Sequence, residues 1–151
     1  MKNKEIVGID VSKKVLDIYI LSEKHHFKIS NDPRGFADLI ELCAGKLGDR
    51  FENVFFCFEE TGRYSKLLSV FLQESQFQFT ALNALDIKRS MGLTRGKTDK
   101  KDARMIALYA ALYLYTLINN KYEHTMCMLL IFFSFWFFFF SLSTVINLLI
   151  I

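Results

Sequence analysis

Four acidic residues have side chains and positions in the chain that suit binding of a divalent cation. They are Asp10, Glu59, Asp99 and Asp102. Carboxylate oxygens are preferred ligands of Mg²⁺, or of Mn²⁺ in its place, and Mg²⁺ keeps several waters when it binds protein. Two such ions about 3.5 to 4 Å apart can stabilise both the attacking and the leaving oxygen of a phosphodiester. The residue types therefore favour metal-assisted phosphodiester chemistry, provided that the fold brings the carboxylates together.

The spacing of the last two acids supports a shared site. Asp99 and Asp102 open a segment of strong helix formers that runs to about Leu117. Residues three apart share a helix face, with Cβ atoms about 5 to 6 Å apart, so one metal ion could contact both. Any one of these acids alone is explained more simply, since Asp10 could end a strand and acids in a first helical turn favour the macrodipole. The combination of four is what indicates a site.

Basic residues surround the last two acids. Between positions 88 and 104 the chain contains Lys88, Arg89, Arg95, Lys97, Lys100, Lys101 and Arg104. A solvated face is the ordinary explanation of a charge run, and the overall net charge of +3 says little about partners. Here, however, the positive charge brackets the proposed metal ligands, as is needed to bring a polyanionic phosphate backbone to an acidic site. We therefore expect this segment to bind nucleic acid.

The elements that must position these acids follow an α/β order. Apolar runs at 5–10, 16–21 and 26–29 predict three antiparallel strands, and Asn31-Asp32-Pro33 predicts a helix cap. A continuous apolar run at 53–58 predicts a buried strand that ends in acids, and 77–82 predicts a strand parallel to it after a second helix. A short helix at 86–91, a basic loop at 92–98 and a last helix from Asp99 follow.

This order of three strands, helix, strand, helix, strand and helix is that of an RNase H-like α/β domain, with a mixed sheet and flanking helices. Asp10 would lie on the first strand and Glu59 at the end of the buried strand. Glu60 would point to the other face, so only one of the two glutamates can enter the site. His25 and His26 fall in the predicted meander and are expected at the surface.

Cysteine usage and the N-terminus favour an intracellular protein. The three cysteines are odd in number and have no paired short spacing, so neither a disulfide framework nor a zinc site is indicated. The apolar stretch before Asp10 is too short for a secretory signal. The cytosol is therefore the expected compartment.

The C-terminal segment, residues 117–151, differs from the rest. From Thr125 to Ile151 there is no Asp, Glu, Lys, Arg or His, and much of the phenylalanine lies at 132–140. As a helix, these 27 residues would be about 40 Å long, against a hydrocarbon core of about 30 Å. An apolar helical tail is therefore predicted, and a membrane-anchored nucleic-acid-binding protein is an alternative. Against anchoring, no basic residue follows the segment.

Four motifs in the first part of the chain resemble a known family. GIDVSKK around Asp10, EETGRY from Glu59, ALNALDIKR around Asn83 and GKTDKKDA from Gly96 resemble the N-terminal domain of DEDD transposases of insertion sequences, the IS110 group. The resemblance runs over about 4–111. It implies a RuvC-like, RNase H-type fold in which Asp10, Glu59, Asp99 and Asp102 coordinate Mg²⁺ for DNA cleavage and strand transfer. It also implies DNA partners, namely element ends and target, and a structured guide RNA, with a homo-oligomer as one possibility.

The sequence departs from that family after about Tyr115. The family continues through a helical linker into a second domain that supplies a serine for attack on DNA, and residues 117–151 match nothing in that pattern. This segment resembles A/T-rich DNA translated after a frameshift. We therefore expect domain 1–116 to be the RuvC-like part of a truncated transposase that is inactive alone, and 117–151 to be an apolar, Phe-rich tail.

A sugar kinase or actin-like ATPase is a third class to consider. The segment GIDVSKKVLDIYI also resembles the first phosphate hairpin of that fold. Such proteins need a glycine soon after the aspartate, and residues 11–14 contain none. They also need a second phosphate loop and a longer chain, so this class is disfavoured.

Overall fold

The computed structural model describes residues 4–91 and 102–116 of the chain. Its elements, in order, are strands β1 (Glu5–Val11), β2 (Val15–Ile20) and β3 (His25–Ser30), helix α1 (Pro33–Leu47), a short 3-10 helix (Gly48–Asn53), strand β4 (Val54–Glu59), helix α2 (Arg63–Glu74), strand β5 (Gln78–Leu82) and helix α3 (Ala84–Met91). A further helix, α4, covers residues 102–116. The predicted order of strands and helices is confirmed.

The strands form one mixed sheet in the order β3-β2-β1-β4-β5. The pairs β1–β2 and β2–β3 are antiparallel, whereas β1–β4 and β4–β5 are parallel. This is the predicted α/β arrangement, in which a meander is extended by two crossover strands. Because β1 is central and runs parallel to β4, the carboxyl ends of these two strands meet at the same edge of the sheet.

One face of the sheet carries the main hydrophobic core. Alternate residues of a strand point to opposite faces, and on this face β1 contributes Val7 and Ile9, while β4 contributes Phe56 and Phe58, all fully buried. Helices α1 and α2 cover them with buried side chains at helical spacing, which are Phe36, Leu39, Cys43, Leu47, Leu68 and Leu72. Each large side chain buried here contributes about 1.5 to 3 kcal/mol. Leu67 shares the helical apolar pattern of α2 but lies off this face and is 61% exposed.

Helix α1 begins at the predicted cap. The Asp32 carboxylate accepts a hydrogen bond from the backbone N–H of Gly35 at 2.9 Å, and Pro33 occupies the first turn, where its missing N–H is not needed. The same Gly35 amide holds the pKa of the Asp32 carboxyl below its usual value. Local sequence therefore fixes the start of the first helix, and the observed start agrees with the prediction.

The opposite face of the sheet, called here the α4 face, is covered at its centre by helix α4. A Cβ atom added at Gly8 would lie 2.4 Å from the carbonyl oxygen of Ala103 and 2.6 Å from the amide nitrogen of Ala107. The residues that α4 buries are mostly alanines, with Ala103, Ala107 and Ala110 fully buried. The backbone of α4 therefore packs directly on β1, which is possible only because Gly8 has no side chain.

The chain divides into two compact units, Met1–Leu112 and Tyr113–Ile151. Of the second unit, the structure describes residues 113–116, which continue α4. The predicted basic loop at 92–98, the start of the last helix at Asp99, and the apolar tail at 117–151 lie outside the described residues. Within residues 4–91 and 102–116, no helix combines the length and the apolarity needed to cross a bilayer.

Adding one methyl group at either of two glycines tests the packing of α4. We expect Gly8→Ala to destabilise the fold by about 1 to 3 kcal/mol, because backbone atoms of α4 occupy the space of the new methyl group. Gly45→Ala is the matched control: it lies in α1 with nothing within 4 Å of the added Cβ, and should stabilise by about 0.5 to 1 kcal/mol. Urea denaturation measures both changes. An unchanged midpoint for Gly8→Ala would show that α4 does not pack closely on β1.

Candidate active site

Asp10 and Glu59 are brought together by the pairing of β1 with β4. In that parallel pair Ile9 is in register with Phe58, so Asp10 and Glu59 are the next residues on neighbouring strands. Ile9 and Phe58 point into the main core, and the following residues therefore project from the α4 face. Neighbouring strands lie about 4.8 Å apart. The two partly buried carboxyl groups thus stand side by side at the edge where both strands end.

Asp102 lies in α4, on the same face of the sheet. The next residue, Ala103, has its carbonyl oxygen over Gly8. Gly8 is two residues before Asp10 on β1. The fourth predicted acid, Asp99, lies outside the described residues. In the part of the chain that the structure describes, no three His, Cys, Asp or Glu side chains converge closely enough to hold a metal ion. The described geometry is therefore an adjacent pair of carboxylates with a third acid in the helix above them.

Glu60 is separated from Glu59 by the end of β4. The strand ends at Glu59, and the backbone N–H of Glu60 donates to the carbonyl of Leu82 at 2.9 Å, while its side chain is exposed. Of the two adjacent glutamates, Glu59 is thus the one that projects from the strand beside Asp10. That only one of the two glutamates enters the site stays a prediction.

Asn31 links the two segments that follow the acid-bearing strands. Its side-chain amide donates to the carbonyl of Ser12 at 2.8 Å and to the carbonyl of Tyr64 at 3.0 Å. Ser12 directly follows β1, and Tyr64 lies in the first turn of α2, which follows β4. The sequence predicted only a helix-capping role for the segment around Asn31. Its contacts instead connect the segment that follows β1, after Asp10, to the first turn of α2, after Glu59.

Asp17 is an acidic residue of the α4 face that sequence reasoning missed. It pairs directly with Asp10 across β1 and β2, and it is buried. Its Oδ1 atom lies 2.8 Å from Nε2 of His26 and 3.1 Å from Nζ of Lys28. Two carboxylates directly opposite each other repel, and the Lys28 ammonium group offsets the charge of Asp17. The sequence signal that could have identified Asp17 is the presence of an acidic residue within the apolar run VLDIYI.

His26 corrects one expectation. It was predicted at the surface, but its side chain is only 15% exposed because it packs against Asp17 from the neighbouring strand. The pairing of Asp17 with Lys28 in the β2–β3 register brings His26 to the diagonal position on the same face. Such a contact depends on strand register, which the composition of the segment does not reveal.

The predicted nucleic-acid-binding residues are described only in part. Arg89 in α3 and Arg104 in α4 are exposed, as a role in binding phosphate requires. Lys88 belongs to α3, but its side chain is outside the part of the chain that the structure describes. The remaining predicted contacts are outside it as well, and they are Arg95, Lys97, Lys100 and Lys101.

The cysteines near the sheet are unsuited to nucleophilic chemistry. Cys57 lies two residues before Glu59, and its thiol donates to the carbonyl of Val7 at 3.3 Å. Burial raises the pKa of the Cys57 thiol far above its usual range, and it raises the pKa of Cys43 to about 12. Because the thiolate is the reactive form, both groups are inert at neutral pH. They act as small apolar side chains.

Alkylation tests this conclusion. We expect iodoacetamide at pH 8 to leave Cys43 and Cys57 unmodified in the folded chain, because burial blocks access and suppresses the thiolate. The same reagent in urea should modify both, and peptide mass spectrometry measures each site separately. Equal rates in the folded and unfolded chain at Cys57 would contradict the burial of this strand beneath α4.

A family model for DEDD transposases of the IS110 group, described as transposase, matches residues 7–128. Among solved structures, T. thermophilus RuvC in complex with a Holliday junction substrate is similar, with 15% sequence identity and a TM-score of 0.49. That match covers 76% of this chain and 96% of the RuvC chain. No curated protein sequence matches the chain.

Proposed function

The chain belongs to the DEDD transposase family of the IS110 group, and from this premise we propose that it is a truncated copy that holds the site of metal-dependent DNA cleavage and strand transfer but is inactive alone. The observation that supports the proposal is that Asp10 and Glu59 directly follow the paired residues Ile9 and Phe58 on the parallel strands β1 and β4. Asp102 lies in α4, which packs over the same part of the sheet. Three of the four acids that the sequence singled out are thus carried by β1, β4 and α4.

The donor set fits a hard divalent cation. Mg²⁺ is typically bound through one or two carboxylates together with substrate phosphates, so an adjacent pair such as Asp10 and Glu59 is enough to begin a site. Asp99 and Asp102 are the further ligands in this proposal. When bound, Mg²⁺ or Mn²⁺ would supply charge stabilisation to the attacking and leaving oxygens of the phosphodiester. The chain itself holds the carboxylates at fixed separation through the β1–β4 pairing and the Asn31 bridge.

DNA is the proposed substrate, as element ends and target. A surface with several carboxylates repels a phosphate backbone, so binding needs positive charge nearby. The exposed Arg89 and Arg104 supply part of it, and the proposal assigns the rest to Lys88, Arg95, Lys97, Lys100 and Lys101. A structured guide RNA and a second copy of the chain, which the family resemblance implies, are further parts of the proposal.

Removing one carboxylate tests the metal site. We expect Asp10→Asn to abolish Mg²⁺-dependent binding of element-end DNA, because the amide keeps the volume but loses the charge that holds the ion. The loss should be larger than the loss of about 10- to 100-fold that is typical when a residue outside the shell of metal ligands is changed. Asp38→Asn, at an exposed position of α1, is the matched control and should behave as the wild type. Titration of Mg²⁺ against DNA binding measures both variants.

The result also decides the role of Asp10 separately from DNA binding. If Asp10→Asn and the wild type respond equally to Mg²⁺, Asp10 has no part in the mechanism. If neither chain binds DNA with or without Mg²⁺, the proposed function itself is wrong.

A further inference from the structure

We propose that Lys28, held in place by Asp17, forms a phosphate-binding position for DNA on the α4 face, beside the acidic pair. The inference rests on the proposed function, since it assigns part of the DNA path across the same face. The proposed contact comes from β3 of the N-terminal meander and not from the basic segment at 88–104.

Strand register places Lys28 in line with the candidate active site. Asp10 pairs with Asp17 across β1 and β2, and Asp17 pairs with Lys28 across β2 and β3. Directly paired residues project from the same face, so the three side chains form a row on the α4 face. With strands about 4.8 Å apart, Lys28 starts about 10 Å from Asp10. A DNA strand bound at Asp10 and Glu59 could present a neighbouring phosphate within reach of that ammonium group.

The ion pair is oriented with its positive end toward solvent. The Asp17 side chain is 7% exposed, whereas the Lys28 side chain is 50% exposed, with its Nζ atom 3.1 Å from Oδ1 of Asp17. An ordinary surface ion pair exposes both partners. Here the negative charge lies inside and is also contacted by His26, so the group presents a cation to an approaching polyanion.

Asp17 also restricts the position of the lysine. A lysine side chain without such a contact loses considerable rotamer entropy when it is immobilised by a ligand. Because the contact with Asp17 already restricts the Lys28 side chain, less of this entropy is lost when DNA binds. An ammonium group has three donors, so a contact with Asp17 is compatible with a contact to phosphate.

The contrary explanation is that Lys28 only neutralises a buried carboxylate. In that case its loss would change the stability of the chain but not the salt dependence of DNA binding. Salt dependence therefore separates the two roles, because each phosphate neutralised by a cation contributes about 0.9 to the slope of log K against log salt concentration.

The experiment measures binding of the full chain to a short fluorescein-labelled DNA duplex by fluorescence anisotropy over a series of salt concentrations. We expect Lys28→Gln to weaken binding several-fold and to reduce the slope by about 0.9. Lys28→Arg, which keeps the charge, should retain the wild-type slope. Lys46→Gln is the matched control, since Lys46 is an exposed residue of α1, on the opposite face of the sheet.

A second measurement uses the unmodified chain, so it holds even if Lys28→Gln fails to fold. Lysines are acetylated with and without the duplex, and the extent at each site is read by mass spectrometry. DNA should protect Lys28 and leave Lys46 unchanged. Equal acetylation of Lys28 in both conditions overturns the inference, as does a wild-type slope in folded Lys28→Gln or an equal loss in Lys46→Gln. A wild-type chain that binds no DNA overturns the proposed function as well.

Discussion

The parallel pairing of β1 with β4 is the constraint on which the rest of the site depends. A shift of one residue in this register would move Glu59 to the opposite face, because strand side chains alternate with a period of two. The register is held by the apolar residues of the main core, where Ile9 and Phe58 lie side by side beneath α1 and α2. The position of the two polar groups is therefore a consequence of how their apolar neighbours pack.

The sequence predicts the elements well because each is specified locally. Asp32 and Pro33 start α1, and the apolar run before Glu59 identifies a buried strand whose end opens onto a site. Contacts that depend on register or on close approach were not predictable in this way. Asp17 becomes a neighbour of Asp10 only when the hairpin pairs residue by residue, and Gly8 meets Ala103 only when α4 crosses β1. The spacing of residues along the chain indicates neither of these two contacts.

Acidic residues form a row across the α4 face. Asp17 has both His26 and Lys28 within hydrogen-bonding distance of its carboxylate. Asp10 lies between Asp17 and Glu59 in this row, near the edge where β1 and β4 end. Two polar atoms near that edge, Oδ1 of Asn31 and Oγ1 of Thr61, are buried without a hydrogen-bond partner in the described part of the chain. Such atoms cost about 1 to 3 kcal/mol each, so this edge is not optimised for stability alone.

Because α4 contacts the sheet mainly through alanines, the two faces of the sheet bury different amounts of apolar area against their helices. The side chains that α1 buries are mostly large, whereas α4 buries Ile106 and a row of alanines, so its removal exposes less apolar area. On buried apolar area, we expect undocking of α4 to require less free energy than global unfolding. Any ligand held jointly by Asp102 and the sheet carboxylates would bind only the docked arrangement. By mass action, such a ligand would clamp the helix to the sheet.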